Sequence, residues 1–255
     1  MGYPTTAVER DAERNQGWFA AVLKGARDLR SARAFLQGEP IDELDMLALL
    51  RLAVPVALLE ALAQVPPWSD RPRVLGAICL NGRAPRSLCQ RLLPALYWRD
   101  LADVAVCPRV EGGVRARAEA LLKERLPDLR PGERITLGRL ATPAVLRALL
   151  AESDSRILDA ALQNPRLTES DLAGLLQQPY TPRPLLEAVA ACGRWQASYA
   201  VRLALVLQPR TPVAIALAQL TSLQGHDLRE VAENPALAPL VQAAAARVAA
   251  RAGRG

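Results

Sequence analysis

The chain offers a single histidine, His226, and it stands beside Asp227. A hydrolase triad or a general base usually draws on histidine, so this is the first place to look for chemistry. A His-Asp pair also suits a metal-dependent phosphohydrolase, but such a centre needs further histidine ligands and the chain has none. His226 reads instead as a surface residue at a helix start. Gly112-Gly113 is not a phosphate loop, because no Lys-Ser or Lys-Thr follows it. Cys79, Cys89, Cys107 and Cys192 show no Cys-x-x-Cys and no metal or redox spacing. Asp42-Glu43, and Asp100 with Asp103, are paired acids near expected helix N-termini, where negative charge favours the helix dipole. The residues point to a protein that is not an enzyme, with no cofactor and no metal.

The chain also carries an internal repeat that sorts packing residues from the rest. Residues 58–122 align without a gap on residues 185–249, and twenty-one of the sixty-five positions are identical. Trp68 meets Trp195, Pro85 meets Pro212, Asp100 meets Asp227 and Pro108 meets Pro235, all at an offset of 127. Shared positions are most simply structural. Cys79 and Cys89 fall on Val206 and Ala216, so they read as small buried apolar residues in a reducing compartment. Features present in one copy alone cannot be demanded by the repeat. Tyr97-Trp98-Arg99 stands against Gln224-Gly225-His226, and Tyr, Trp and Arg are the types that anchor interfaces. Arg71, Arg73, Arg86 and Arg91 stand against Ser198, Ala200, Val213 and Ala218. If these four share one face, that face is basic. The partner-binding candidates are therefore Tyr97, Trp98 and Arg99, with Arg71, Arg73, Arg86 and Arg91 as the basic surface.

The elements that must position these residues are helices. Half of the 255 residues are hydrophobic but only 4% are aromatic, so the core is built from Leu, Ala and Val. Those are helix-compatible residues, and β-branched or aromatic runs are scarce. Prolines punctuate the chain. Pro85 to Pro108, Pro143 to Pro165 and Pro212 to Pro235 span 23, 22 and 23 residues, each long enough for a helix, a turn and a second helix. Longer units run from Pro55 to Gly82 and from Pro182 to Pro209, each with a Trp near its middle. Thr142-Pro143, Thr181-Pro182 and Thr211-Pro212 place a capping hydroxyl before a proline whose φ is preset, and Asn164-Pro165 and Asn234-Pro235 place an amide there. Thr168-Glu169-Ser170-Asp171 has the form of a capping box. Residues 109–126 read as a charged helix with Arg115–Glu119 and Glu119–Lys123 pairs. The last helix covers about residues 236–252.

Repeats of about 23 residues that open with Thr-Pro or Asn-Pro and fill with Leu and Ala resemble the leucine-rich-repeat-variant and HEAT-type solenoids of bacteria. Asn164-Pro165-Arg166-Leu167-Thr168-Glu169 and Gln208-Pro209-Arg210-Thr211-Pro212 carry the likeness best, and it extends over residues 40–250. It implies an all-α fold: a right-handed α-solenoid of short antiparallel helix pairs with an internal duplication. The expected organisation is an N-terminal helical cap over 1–38, a first repeat block over 39–126, a connecting segment over 127–139 and a second block over 140–255. The cap would run from a capping box at Thr6–Glu9, past a break at Gly17, into a helix whose apolar face includes Phe19, Val22, Leu23, Ala26 and Leu29. Residues 127–133 read as the loop between the copies.

Functionally, the likeness points first to a protein–protein interaction scaffold. A second reading is a nucleic-acid backbone binder, since some HEAT-like bacterial proteins, including a DNA-glycosylase class, hold duplexes on a basic face. A third is a homo-oligomeric assembly subunit. The net charge of +6 permits an acidic partner without demanding one. No stretch approaches a membrane span. With no apolar leader at the N-terminus, the expected location is the cytoplasm.

Overall fold

The computed structural model describes residue 26, residues 28–38 and residues 41–252. Among the described residues there are 17 helices and no strand, as the composition requires. The chain divides into two compact units, Met1–Arg125 and Leu126–Gly255.

In the first unit the described helices are α1 (Leu29–Gly38), α2 (Glu43–Leu49), α3 (Val56–Leu62), α4 (Pro72–Leu80), α5 (Arg86–Leu92), α6 (Trp98–Val106) and α7 (Gly112–Arg125). The Thr6–Glu9 start, Gly17 and the residues from Phe19 to Leu23 lie outside the described residues. Of the expected cap, α1 is described. Asp28 caps it by accepting from the Ser31 N–H at 2.8 Å, and α1 packs on α3 with Ala32 and Leu36 buried. Leu58, Leu59, Leu62, Val74, Ile78, Leu101 and Val104 are fully buried, at helical spacing along α3, α4 and α6. Helix α4 packs against α2 and α6, α3 and α5 also pack on α4, and α7 packs on α5 and α6.

The second unit contains α8 (Pro131–Leu140), α9 (Pro143–Leu149), α10 (Ser155–Leu162), α11 (Glu169–Leu176), α12 (Arg183–Ala191), α13 (Gly193–Gln196), α14 (Tyr199–Leu207), α15 (Val213–Gln219), α16 (Gly225–Glu233) and α17 (Pro239–Ala252). Helix α8 starts at Pro131, inside the stretch that reads as a loop, because the Glu133 carboxylate accepts from the Arg130 N–H at 2.8 Å and Pro131 supplies a preset first turn. The bounds of α4, α5, α6 and α7 recur in α14, α15, α16 and α17, each 127 positions later. Burial follows the same register. Trp68 and Trp195 are both 4% exposed, Cys79 and Val206 both 1%, and Leu93 and Leu220 are both buried.

Buried amides tie successive helix pairs at three places. Asn81 donates to the carbonyls of Leu50 (2.7 Å) and Leu52 (2.8 Å) and accepts from the Arg83 N–H. Asn164 donates to Gly138 and Ala141 and accepts from the Arg166 N–H. Gln208 donates to Leu176 and Gln178 and accepts from the Arg210 N–H. In each case one side chain turns the chain after a helix and satisfies carbonyls at the end of a helix about one repeat earlier, groups that a short helix leaves orphaned. Asn164 is therefore not a helix cap: an Asn164–Leu167 turn follows it, not a helix.

The Thr-Pro steps also depart from expectation. Helices α12 and α15 begin one residue later than a Thr cap requires, with Pro182 and Pro212 at the N-cap. Thr181 therefore points back and donates to the Leu175 and Gln178 carbonyls, while the Thr211 hydroxyl is buried without a partner. Thr142 does sit at the N-cap of α9, yet its hydroxyl caps nothing. Caps come instead from Asp154, Thr168 and Ser198, which accept from Arg156, Asp171 and Val201 N–H groups. The Thr168 capping motif is thus realised.

Candidate functional site

A groove of about 1030 Å³ lies in the first unit, lined by the C-terminal end of α2, one face of α4 and the start of α6. Each wall contributes arginine. Arg51 comes from the turn after α2, Arg73 from α4, Arg83 from the turn after α4, Arg99 from α6 and Arg109 from the turn after α6. All five are exposed, and none forms an ion pair among the described residues. A guanidinium stays charged at any ordinary pH, so five of them on one cavity make a standing positive field.

Two carboxylates interrupt that field. Asp100 and Asp103 lie one turn apart on α6 and both line the groove. Lost hydration raises the pKa of both above the usual carboxylate value, and the neighbouring Asp103 charge adds to the effect at Asp100. A hydrogen bond from the Tyr97 backbone opposes the rise at Asp100, followed by the charges of Arg73 and Arg99, and Arg99 opposes it at Asp103. Beneath Asp100 is Gly76. A Cβ there would come within 3.1 Å of Asp100 Oδ1, so the absence of a side chain leaves this carboxylate its room.

The second unit provides an internal comparison. It has a cleft of about 320 Å³ reaching from Gln177 to Arg210, and every residue lining it stands 127 positions after a residue lining the groove. The larger groove follows from a few replacements. Leu203 occupies the position of Gly76, Ala200 that of Arg73, and Ala236 that of Arg109. Tyr199 occupies the position of Pro72, and its hydroxyl donates to the Asp227 carboxylate and accepts from the Gln224 N–H at 2.9 Å. His226 Nε2 lies 3.2 Å from the other Asp227 oxygen. Asp227 is thereby buried and held by a side chain, whereas its counterpart Asp100 is half-buried and accepts from the Tyr97 backbone. His226 is an exposed residue in the first turn of α16, and among the described residues no cluster of three metal-ligating side chains exists.

The sequence candidates separate. Tyr97 (64% exposed), Arg99 and Arg73 line the groove. Trp98 is half-buried at the start of α6 and engaged, but it does not line the cavity. Arg71, Arg73, Arg86 and Arg91 do not share one groove. Arg71 pairs with Glu43 at 3.0 Å and lies over the Trp68 ring at 5.1 Å. Arg86 pairs with Glu111 across a smaller cleft that Cys79 and Cys89 also line. Arg91 sits in the last turn of α5, away from both cavities. Ion pairs with residues 25 to 28 positions away cannot be read from local sequence.

Arg51 and Arg109 reach the groove with no distinguishing mark in the sequence. Arg51 precedes the aligned repeat, so no counterpart marks it, and Arg109 was one arginine among many. The replacement of Leu203 by Gly76 was the available signal. Elsewhere arginines are consumed by the fold. Arg194 donates to the carbonyls of Leu162, Asn164 and Leu167 and stacks on Trp195 at 4.3 Å, and Arg125 donates to those of Leu96 and Pro94. Trp195 itself donates to the Leu162 carbonyl at 3.0 Å, which makes it a packing residue. No family model, no curated protein and no solved structure matches this chain.

Proposed function

We propose that this protein is a non-enzymatic binding module and that the groove of its first unit takes the phosphate backbone of a nucleic-acid strand. The observation that carries the reading is the set of five arginines without internal ion pairs around a 1030 Å³ groove, where the equivalent cleft keeps only Arg210 and shrinks to 320 Å³. A fold that spends arginines on its own carbonyls and carboxylates leaves these five free for phosphate, which guanidinium groups grip with paired hydrogen bonds. The second reading is an adaptor for an acidic protein segment. It is favoured by Tyr97, 64% exposed beside Arg99, a pairing of types that anchors protein interfaces.

The matching element bounds 127 residues apart support an ancestral duplication, after which one copy kept an open groove and the other closed it. Within each unit the amide-tied helix pairs fit a solenoid of the HEAT or leucine-rich-repeat-variant kind, of bacterial type, and the handedness expected is right-handed. The four unpaired cysteines suit the cytoplasm. Among the described residues no helix is long and apolar enough to cross a membrane. The test is oligonucleotide binding as a function of salt, compared between wild type and Arg99→Ala. Steep weakening with salt supports the backbone reading. Equal binding of a poly-glutamate chain would move the assignment to the acidic-protein reading.

A further inference from the structure

The two aspartates are out of place in a groove that only neutralises phosphate. Each repels a phosphate, and each sits where its own charge is disfavoured. Their counterpart in the second unit shows what such a carboxylate does when it is purely structural: Asp227 is buried and accepts from the Tyr199 hydroxyl. The first unit has Pro72 at the position of Tyr199, so that donor is gone, and Gly76 at the position of Leu203, so the Asp100 side chain packs against the bare backbone of α4 in the groove wall. The carboxylate has kept its place and lost the side-chain donor of its counterpart; the Tyr97 backbone is the donor that remains, and the carboxylate lines the groove. Its remaining acceptor sites are left for a donor from a ligand in the groove.

Resting on the backbone reading above, we infer that Asp100, with Asp103 beside it, selects unstacked guanine in a single strand by accepting from its N1–H and N2–H₂ groups. Three considerations lead there. The cavity, about 1030 Å³, is on the scale of clefts that hold small ligands, about 300–1,000 Å³, so it has room for a base and its flanking backbone. A carboxylate offers two acceptor oxygens and no donor. Among the bases only guanine presents two adjacent donors on its pairing edge. Thymine offers a single N–H between two carbonyls, which a carboxylate's second oxygen repels, and adenine and cytosine place an acceptor next to their amino group. Tyr97 at the groove edge supplies a ring face on which a splayed base stacks, and the arginines hold the flanking phosphates. Strand affinity and base choice thus come from different residues of one groove.

The experiment uses the full chain and three fluorescent oligo(dT) probes of equal length, carrying at the centre dT, deoxyguanosine or deoxyinosine. Inosine differs from guanine only by the missing N2 amino group. Anisotropy titrations at fixed low salt should show the guanine probe binding about tenfold tighter than the other two. In Asp100→Asn that preference should fall to about twofold or less, while affinity for the all-dT probe rises, because a repelling charge has gone. Asp103→Asn, on the more exposed carboxylate, is the second variant should Asp100→Asn fold poorly, and it should reduce the preference in the same direction. Arg73→Ala should weaken all three probes alike and leave their ratios unchanged. Equal binding of the three probes by wild type, or a guanine preference that survives both asparagine variants, overturns the inference and leaves the backbone reading standing. Failure to bind any probe at low salt overturns both.

Discussion

Replacing Asn164 by alanine should remove one of the ties that hold successive helix pairs together. The side chain is 1% exposed and makes three hydrogen bonds: to the Gly138 carbonyl at 2.8 Å, to the Ala141 carbonyl at 3.2 Å and from the Arg166 N–H at 2.8 Å. Each such bond contributes about 1 kcal/mol net, and a buried group left without its partner costs about 1–3 kcal/mol. Alanine leaves two carbonyls and one N–H to find partners in a space one amide large. Water reaching the Arg166 side recovers part of that cost, so the expected loss is about 2–4 kcal/mol. Against a typical domain stability of about 5–15 kcal/mol, such a loss is readily measured. Asn164→Asp sharpens the test. It keeps the shape but turns the donor into a charged acceptor facing two carbonyl oxygens, and it should be worse than alanine. Equilibrium urea unfolding followed by far-UV circular dichroism measures both. A loss below about 1 kcal/mol for alanine, or an aspartate variant as stable as the alanine one, would refute the tie.

Two other perturbations act on the groove. Gly76→Leu installs the residue that the second unit carries at Leu203. Its Cβ would meet Asp100 Oδ1 at 3.1 Å, so the carboxylate must shift and the cavity shrink. Oligonucleotide affinity should drop about tenfold, with a stability cost of about 1–3 kcal/mol and an unchanged far-UV spectrum; unchanged affinity would show that ligands bypass this part of the groove. The pH response follows from the raised carboxylates. As pH falls from neutrality, Asp100 and Asp103 take up protons while Arg51, Arg73, Arg83, Arg99 and Arg109 stay charged, so affinity for an all-dT probe should rise. The folded chain also binds these protons more readily than the unfolded chain. Their stabilising contribution is therefore present at low pH and lost as pH rises from the unfolded value through the raised folded one. An Asp100→Asn, Asp103→Asn double variant should flatten the affinity response and unfold at a higher temperature than wild type at pH 7. A double variant whose affinity still climbs on acidification contradicts the assignment.

What the sequence made legible was whatever depends on neighbours. Proline spacing located the pairs α5–α6, α9–α10 and α15–α16, because proline restricts its own φ and that of the residue before it. The charged helix expected over 109–126 is α7, and the terminal one over 236–252 is α17, each trimmed at its start. The repeat identified Trp68 and Trp195 as packing residues, as their burial confirms. Details set by side-chain competition were not legible. In α7 the ion pair formed is Arg117–Glu124 at 3.3 Å, in place of pairs through Glu119. The same holds for the site. Arg73, Tyr97 and Arg99 reach the groove, but so does Arg51, and Arg71 and Arg86 are drawn off by Glu43 and Glu111. Asn164 has the local form of a cap but ties two helix pairs together, because its carbonyl partners lie 23 and 26 residues upstream.

The most direct test of the groove's role is the slope of log affinity against log salt for a single-stranded oligonucleotide. Each phosphate neutralised contributes about −0.7 to that slope, so three to five engaged arginines give about −2 to −3.5. Arg73→Ala and Arg99→Ala should each make the slope shallower by about 0.7. Arg183→Ala should leave it unchanged, since that arginine pairs with Glu187 on the second unit. A flat slope in wild type, or equal slopes in the groove variants and wild type, would contradict the account.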